Sequence, residues 1–293
     1  MKLKMNDKYN VLNFYSVPRK LIRNTNKHMF ILLYLALTLF PFIWALSTSF
    51  KPQSEIFALP PTYVPKGFTF ENYYRILIVG EFWRYALNSI FIASTSVLIS
   101  LLVSLFVGYA TSRYKFIGKE FIMFFMLGGM AIGRFANVIP LYFFSTRVGL
   151  FDTYFIIILS SSALVVPLLS WLMQGYFRSI PYELDEAAKI DGCKSWDIFW
   201  KILLPSMKPA IVAGAVIATV NAWNEFILAM TLTRSPHLRV LPVAINFFKT
   251  ELGVQWGELT AASIFATLPI VIFVIPLQRY FIQGLTSGTL GSS

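Results

Sequence analysis

Charge is scarce in this chain: only 13% of its 293 residues are Asp, Glu, Lys or Arg, while 56% are hydrophobic and the mean hydropathy is +0.63. Soluble domains carry roughly a quarter charged residues, so a water-soluble globule is excluded and the chain reads as living in lipid. Cys193 is the single cysteine, which excludes an intrachain disulfide and a cysteine-rich metal framework. The two histidines, His28 and His237, lie far apart and on opposite predicted faces of the membrane, which argues against a histidine metal site. A nucleotide-binding loop is also missing. The Gly118-Lys119 pair is followed by Glu120 and lacks the upstream glycine that a phosphate-cradling loop needs. No nucleophile–base set gathers near an interface, so an enzyme is not expected. An ion-coupled secondary transporter is the alternative function class, but it needs membrane acids and usually internal repeats, and neither stands out.

What the chain does have is long apolar runs, at about residues 29–50, 85–110, 121–144, 154–173, 210–232 and 261–282. A hydrocarbon core roughly 30 Å thick takes about 20 helical residues to cross. Backbone groups in lipid must bond within their own segment, so six transmembrane helices are predicted, an all-α integral membrane fold. The first run is longer than a signal-peptide core and lies behind a polar leader, so it is predicted to be a span. Of the 25 Lys and Arg, 16 fall on the side of both termini, 8 on the other, and Arg134 lies inside the third span. That bias predicts a multi-pass membrane protein with both termini in the cytoplasm. Residues 1–28 form a basic cytoplasmic segment suited to anionic membrane lipid. Nucleic acid is not an expected partner of this +11 chain, because no basic groove or recognition helix gathers the charge.

The polar stretch 181–205, between the fourth and fifth runs, is the most informative. Ser179 or Ile180 is expected to cap a helix starting at Pro181, with Glu183, Asp185 and Glu186 against the positive end of its dipole. Ala187 and Ala188 give a small-residue surface for close approach by another protein, and Gly192 frees the backbone to leave the helix. A second helix is expected from Trp196 to Leu204, capped by Ser195, with Ile198, Phe199, Ile202 and Leu203 at helical spacing and Pro205 as its stop. From pattern alone this could equally be an amphipathic hairpin on the membrane surface.

Glu186-Ala187-Ala188, Asp191-Gly192 and Ile202-Leu203-Leu204-Pro205 resemble the EAA loop of permease subunits in bacterial ATP-binding-cassette importers. The likeness extends to Ser49-Phe50-Lys51-Pro52, Asn88-Ser89, Gly108-Tyr109-Ala110-Thr111-Ser112-Arg113, Trp223-Asn224-Glu225-Phe226 and Gln283-Gly284-Leu285-Thr286-Ser287-Gly288. These are similar to the smaller permease subunit of maltose-type carbohydrate importers, and within that family to alginate-oligosaccharide permeases. The resemblance implies a type I importer permease domain over 29–283, with 181–205 as a cytoplasmic coupling loop. It also implies a second, non-identical permease, two cytoplasmic ATPase subunits holding ATP and Mg, an extracytoplasmic solute-binding protein and an oligosaccharide substrate. This chain itself would bind no cofactor. Glu186, Ala187, Ala188, Asp191, Gly192, Leu204 and Pro205 are the implied ATPase-coupling residues. The tail, 284–293, departs from the pattern, because no basic residue precedes Gly291, and the resemblance carries no tail contact with the ATPases over.

The stretch from Lys51 to Arg84 is rich in proline and aromatics and reads as a stiff surface loop on the outer side. Thr233–Thr260 is the second large outer loop. The resemblance has it reaching toward the binding protein, while a cap over helix ends fits the residues as well. Inside the spans, Arg134 costs roughly 2.5–3.5 kcal/mol to insert and is flanked by Gly128, Gly129, Gly133 and Pro140, so a broken helix facing a cavity is expected. It either pairs with an acid such as Glu225 or attracts a carboxylate-bearing sugar. Asn137, Asn221, Trp223 and Asn224 complete the candidate substrate pathway, with helix packing as the competing role for the polar amides. Pro140, Pro167, Pro269 and Pro276 are expected to kink their helices.

Overall fold

The computed structural model describes residues 17–251 and 253–289. Helix α1 (Val17–Ser49) leads to two short helices, α2 (Gln53–Ile56) and α3 (Glu71–Tyr74), which continues as a π-turn over Arg75–Val79. Helix α4 (Phe82–Arg113) follows, then α5 (Lys119–Ala131), α6 (Arg134–Arg147) and α7 (Tyr154–Ser179). The polar stretch forms α8 (Glu183–Ile190), α9 (Ser195–Asp197), a π-segment Ile198–Leu203 and α10 (Leu204–Ser206). Helices α11 (Lys208–Trp223), α12 (Ile227–Leu232), α13 (Leu241–Asn246) and α14 (Trp256–Thr289) complete the chain, with a two-stranded hairpin, β1 (Lys249–Thr250) and β2 (Gly253–Val254), between the last two.

Four helical segments are long and apolar enough to cross a membrane alone: Lys27–Ser49, Phe82–Arg113, Tyr154–Ser179 and Trp256–Gln278. The third predicted span is a bent pair, Lys119–Met130 and Phe135–Arg147, meeting at 101°. Its break falls at Ile132-Gly133, where Ile132 is extended (φ −73°, ψ 109°), not at Pro140, which lies inside α6. The fifth predicted span, 210–232, is also interrupted. Helix α11 stops at Trp223 and the chain resumes as α12 at Ile227, because polar side chains compete for the backbone there. Asn224 Nδ2 donates to Val220 O (2.8 Å), and Glu225 Oε1 accepts the Leu228 N–H (3.0 Å). Pro167, Pro269 and Pro276 lie inside α7 and α14, each of which runs as one helix.

Helices α4 and α7 form the spine of the bundle. Lipid supplies no hydrophobic drive between helices, so close backbone approach and hydrogen bonds must hold them. Ser96, Ser100, Ser104 and Gly108 recur every four residues and face α7. Ser96 Oγ donates to Ile158 O (3.3 Å), Ser100 Oγ to Ser162 O (3.4 Å) and Ser104 Oγ to Val166 O (3.3 Å), while Ser162 Oγ returns a bond to Ser96 O (3.3 Å). At Gly108 a Cβ would stand 2.7 Å from Met173 Cβ and 2.9 Å from Gln174 N.

At one end of the bundle the segments joining α1 to α4 and α12 to α14 fold back over the helix ends. Asn88 Nδ2 donates to His237 O (2.7 Å) and Arg239 O (2.9 Å), and Ser89 Oγ accepts the Leu241 N–H (2.8 Å), so the Asn88-Ser89 motif is an anchor for that segment. Asp152 accepts from the backbone of Arg234 and Ser235 and from the Ser235 hydroxyl. Asn72 Nδ2 bridges Ser49 O and Lys51 O, tying α3 to the end of α1. The Glu55 carboxyl is held down at about 2 by the Thr62 hydroxyl and the Lys66 N–H, with lesser help from the Gly67 N–H and Lys51. The cap expected of Thr233–Thr260 is thus built by residues 236–246, whereas β1, β2 and Gln255 are largely exposed.

Candidate coupling elbow and transmembrane cleft

At the opposite end, α8 and the helix after it make the bent polar unit. Helix α8 begins at Glu183, two residues later than Pro181, and neither expected cap acts. Ser179 Oγ turns back to Tyr176 O (2.8 Å) and Ile180 closes α7, so the turn at Pro181-Tyr182 starts α8 through main-chain bonds alone. Likewise Lys194, not Ser195, is the N-cap of α9.

The bend after α8 is a Schellman closure. Gly192 (φ +84°) donates its N–H to Lys189 O (3.0 Å), and Cys193 N–H reaches Ala188 O (2.9 Å). A side chain at Gly192 would meet nothing within 4 Å, so glycine is required there by backbone conformation alone. Pro205 does not end the second helix. The preceding π-segment shifts the hydrogen-bond register, α10 carries Pro205 in its first turn, and the chain breaks at Met207, where α11 leaves at 76° to the segment Ser195–Ser206.

This elbow is seated on an aromatic and aliphatic floor. Ile198, Phe199 and Leu203 are fully buried, Ile202 and Leu204 half-buried, in one cluster with Leu105, Phe177 and Met207. Phe199 stacks on Phe106 (5.4 Å) and packs against Tyr109 (5.0 Å), and Trp196 lies parallel to Phe106 (6.1 Å). Helix α8 therefore has two faces. Glu183, Glu186, Ala187 and Ile190, at helical spacing, point outward, whereas Asp185 and Ala188 are buried. Of the alanine pair, only Ala187 is on the surface; Ala188 packs in the floor because adjacent helix residues are about 100° apart. Asp191, Gly192 and Pro205 are exposed.

Arg113, the last residue of α4, meets Asp185 beneath the elbow. Its Nε lies 3.0 Å from Asp185 Oδ2, with side chains only 7% and 5% exposed, and its Nη2 donates to Ile180 O (3.1 Å). Sequence reasoning missed this pair: the two residues are 72 positions apart, and each looked like an ordinary interfacial charge or a helix-end charge.

Within the bundle, a cleft of about 610 Å³ opens between α5, α6, α7 and α11. Its walls are mostly apolar, with Pro140, Leu141, Leu164 and Leu168 among them, and Asn137 and Asn221 are its amide side chains among the described residues. Arg134 opens α6 one turn before Asn137, on the far side of the 132–133 break; its side chain lies outside the described residues, as does the proposed pairing with Glu225. Trp223, Asn224 and Glu225 do not line this cleft. Trp223 is buried against Ile76, Leu241 and Ala262, and its indole N–H donates to Ala266 O (3.2 Å). Asn224 is exposed, and Glu225 is buried at the head of α12.

Residues 100–287 match the family of binding-protein-dependent transport system inner membrane components, a stretch that holds α7, the elbow, α11 and most of α14. A trehalose/maltose transport permease from Thermococcus litoralis is 36% identical over 86% of this chain and 91% of its own length. An arabinooligosaccharide transport permease from Halalkalibacterium halodurans is 34% identical over the same shares. A crystal structure of a bacterial ABC transporter that imports the acidic polysaccharide alginate superimposes with TM-score 0.78 at 25% identity, covering 92% of this chain and 99% of that one. With these likenesses and the seated elbow together, the chain belongs to the binding-protein-dependent transport system inner membrane components, as a membrane-spanning permease of the type I ABC importer class.

Proposed function

We propose that this chain is one of two non-identical membrane subunits of an ATP-driven, binding-protein-dependent oligosaccharide importer, and that its cargo is acidic. The observation that carries the reading is the two-faced helix α8: an outward face of Glu183, Glu186, Ala187 and Ile190 over an inward face locked to the ends of α4 and α7. Such a helix can receive force from a separate body and pass it to the bundle. A pair of ATPases, carrying ATP and Mg, would grip this face from the cytoplasm. The excess of Lys and Arg at the elbow end and in the N-terminal segment supports that orientation, with both termini inside. At the outer end, a solute-binding protein would dock against the β1–β2 hairpin, a reading supported by that hairpin's exposure.

Sugar as cargo rests on the relatives, whose names specify trehalose and maltose, arabinooligosaccharides and alginate. The cleft suits it, since amides such as Asn137 and Asn221 serve hydroxyls and carboxylates alike. Acidic cargo is favoured by an arginine, Arg134, as the first residue of α6, since an always-charged residue type and a helix N-terminus each favour a carboxylate.

Uptake of a uronate oligomer and of a neutral one of equal length, each by the reconstituted complex with its binding protein, tests this. Arg134→Gln should cut uronate uptake by roughly 10- to 100-fold, the value of a hydrogen bond to a charged group, and leave neutral uptake within twofold. Equal loss for both cargoes would remove the acidic-sugar assignment.

A further inference from the structure

Among the described ion pairs, Arg113–Asp185 is the only one in which both side chains are more than nine-tenths buried; in each of the others at least one partner is more than half exposed. Burial makes the pair poor evidence of stability, because a well-packed apolar replacement is often as stable or more so. Adhesion of the elbow is already supplied by Ala188, Ile198, Phe199 and Leu203 on the floor. What the apolar contacts lack is direction. A greasy helix face tolerates rotation and sliding, and a turn of one residue, about 100°, would carry Glu186 and Ala187 off the outward face.

Arg113 reaches three elements from one guanidinium. It is covalently the end of α4, it donates to the carbonyl of Ile180 that closes α7, and it contacts Asp185 in the first turn of α8. The Tyr182 ring lies under the same guanidinium, 5.7 Å from its carbon. The Nε–H is not aimed along the contact with Oδ2, and Asp185 Oδ1 accepts no hydrogen bond among the described residues, so the contact is made at one oxygen and not as a two-bond fork.

We propose that Arg113 is a positioning residue for energy coupling: by pinning Asp185, it fixes the rotation of α8, so that a push on the outward face displaces α4 and α7 together and is not lost in rolling of the elbow. This rests on the chain being an ATP-driven permease. The pair touches neither cargo nor nucleotide, and its loss should therefore lower the work obtained per ATP and leave hydrolysis itself running.

The test uses the complete complex in vesicles, reading subunit stoichiometry, ATP hydrolysis with loaded binding protein, and cargo moved per ATP. The double variant Arg113→Met/Asp185→Leu removes both charges and so leaves no lone buried ion. It should assemble and hydrolyse ATP within threefold of the parent, while cargo per ATP falls at least tenfold. Arg113→Lys keeps a charge near Asp185 but gives up the Nη2 bond to Ile180 O, and an intermediate loss is expected, between two- and tenfold. Should the double variant fail to assemble, the lysine variant decides alone. An unchanged cargo-to-ATP ratio in an assembled variant, or hydrolysis lost in proportion to transport, would overturn the proposal. A parent complex that shows no ATP-driven uptake would instead defeat the importer reading.

Discussion

Gly108→Leu is expected to prevent the bundle from closing, so that the chain is recovered aggregated or degraded. Even a single methyl at this position would stand 2.7 Å from Met173 Cβ and 3.0 Å from Met173 C, within the body of α7, so the two helices would have to part. Overpacking of this kind costs typically about 1–3 kcal/mol. Parting the helices also stretches the serine–carbonyl bonds above the glycine, each worth roughly 0.6–2 kcal/mol. Together these approach the whole stability of a domain, on the order of 5–15 kcal/mol. Gly175→Ala is the control, since a Cβ there meets nothing within 4 Å. The midpoint of denaturant-induced loss of helix in detergent checks both. A Gly108→Ala variant with the parent midpoint would mean that α4 and α7 do not approach this closely.

Charge reversal at Glu186 should have the opposite signature, a folded chain that no longer works. Its side chain is exposed on α8, so Glu186→Lys should leave the denaturation midpoint in place. At an interface, breaking one member of a buried charge pair costs about 2–5 kcal/mol, and ATP-driven uptake should fall by roughly 30-fold or more on the same scale. Retention of the ATPases on a tagged permease measures the loss directly. Substitution of the two alanines separates the faces: Ala187→Trp should release the ATPases from a stable chain, whereas Ala188→Trp should destabilise the chain itself, because only Ala188 lies in the floor. Full ATPase retention and uptake by Glu186→Lys would show that α8 is not where force enters.

Much of this was readable in the residues. The apolar runs found the membrane helices because length and composition alone decide whether a segment can cross lipid. Gly192 announced the bend because few other residues take a positive φ without strain. Breaks inside spans were harder. Glycines around Arg134 correctly marked one, but nothing in Trp223-Asn224-Glu225-Phe226 separates a helix interior from a gap, since the gap is made by side chains bonding to Val220 O and Leu228 N. Pro205 misled for a related reason: a π-segment upstream had already given up the regular hydrogen-bond register, which moved the true break to Met207. The stripe Ser96, Ser100, Ser104 and Gly108 was not singled out from the sequence, because only the partner helix shows that it is a packing seam. Trp223 suits a sugar face and also fits a core, and its bond to Ala266 O places it in the core. Arg113 and Asp185 could not be paired from sequence, because helix ends 72 residues apart become neighbours only through the α4–α7 seam.

Uptake of radiolabelled oligosaccharide into vesicles holding this chain and its partner permease, with and without the ATPase pair, probes the source of force most directly. The expected result is transport only when ATPases are bound and ATP is supplied on the elbow side, with no flux driven by an imposed proton or sodium gradient alone. Gradient-driven accumulation of sugar by the permeases without ATPases would contradict it.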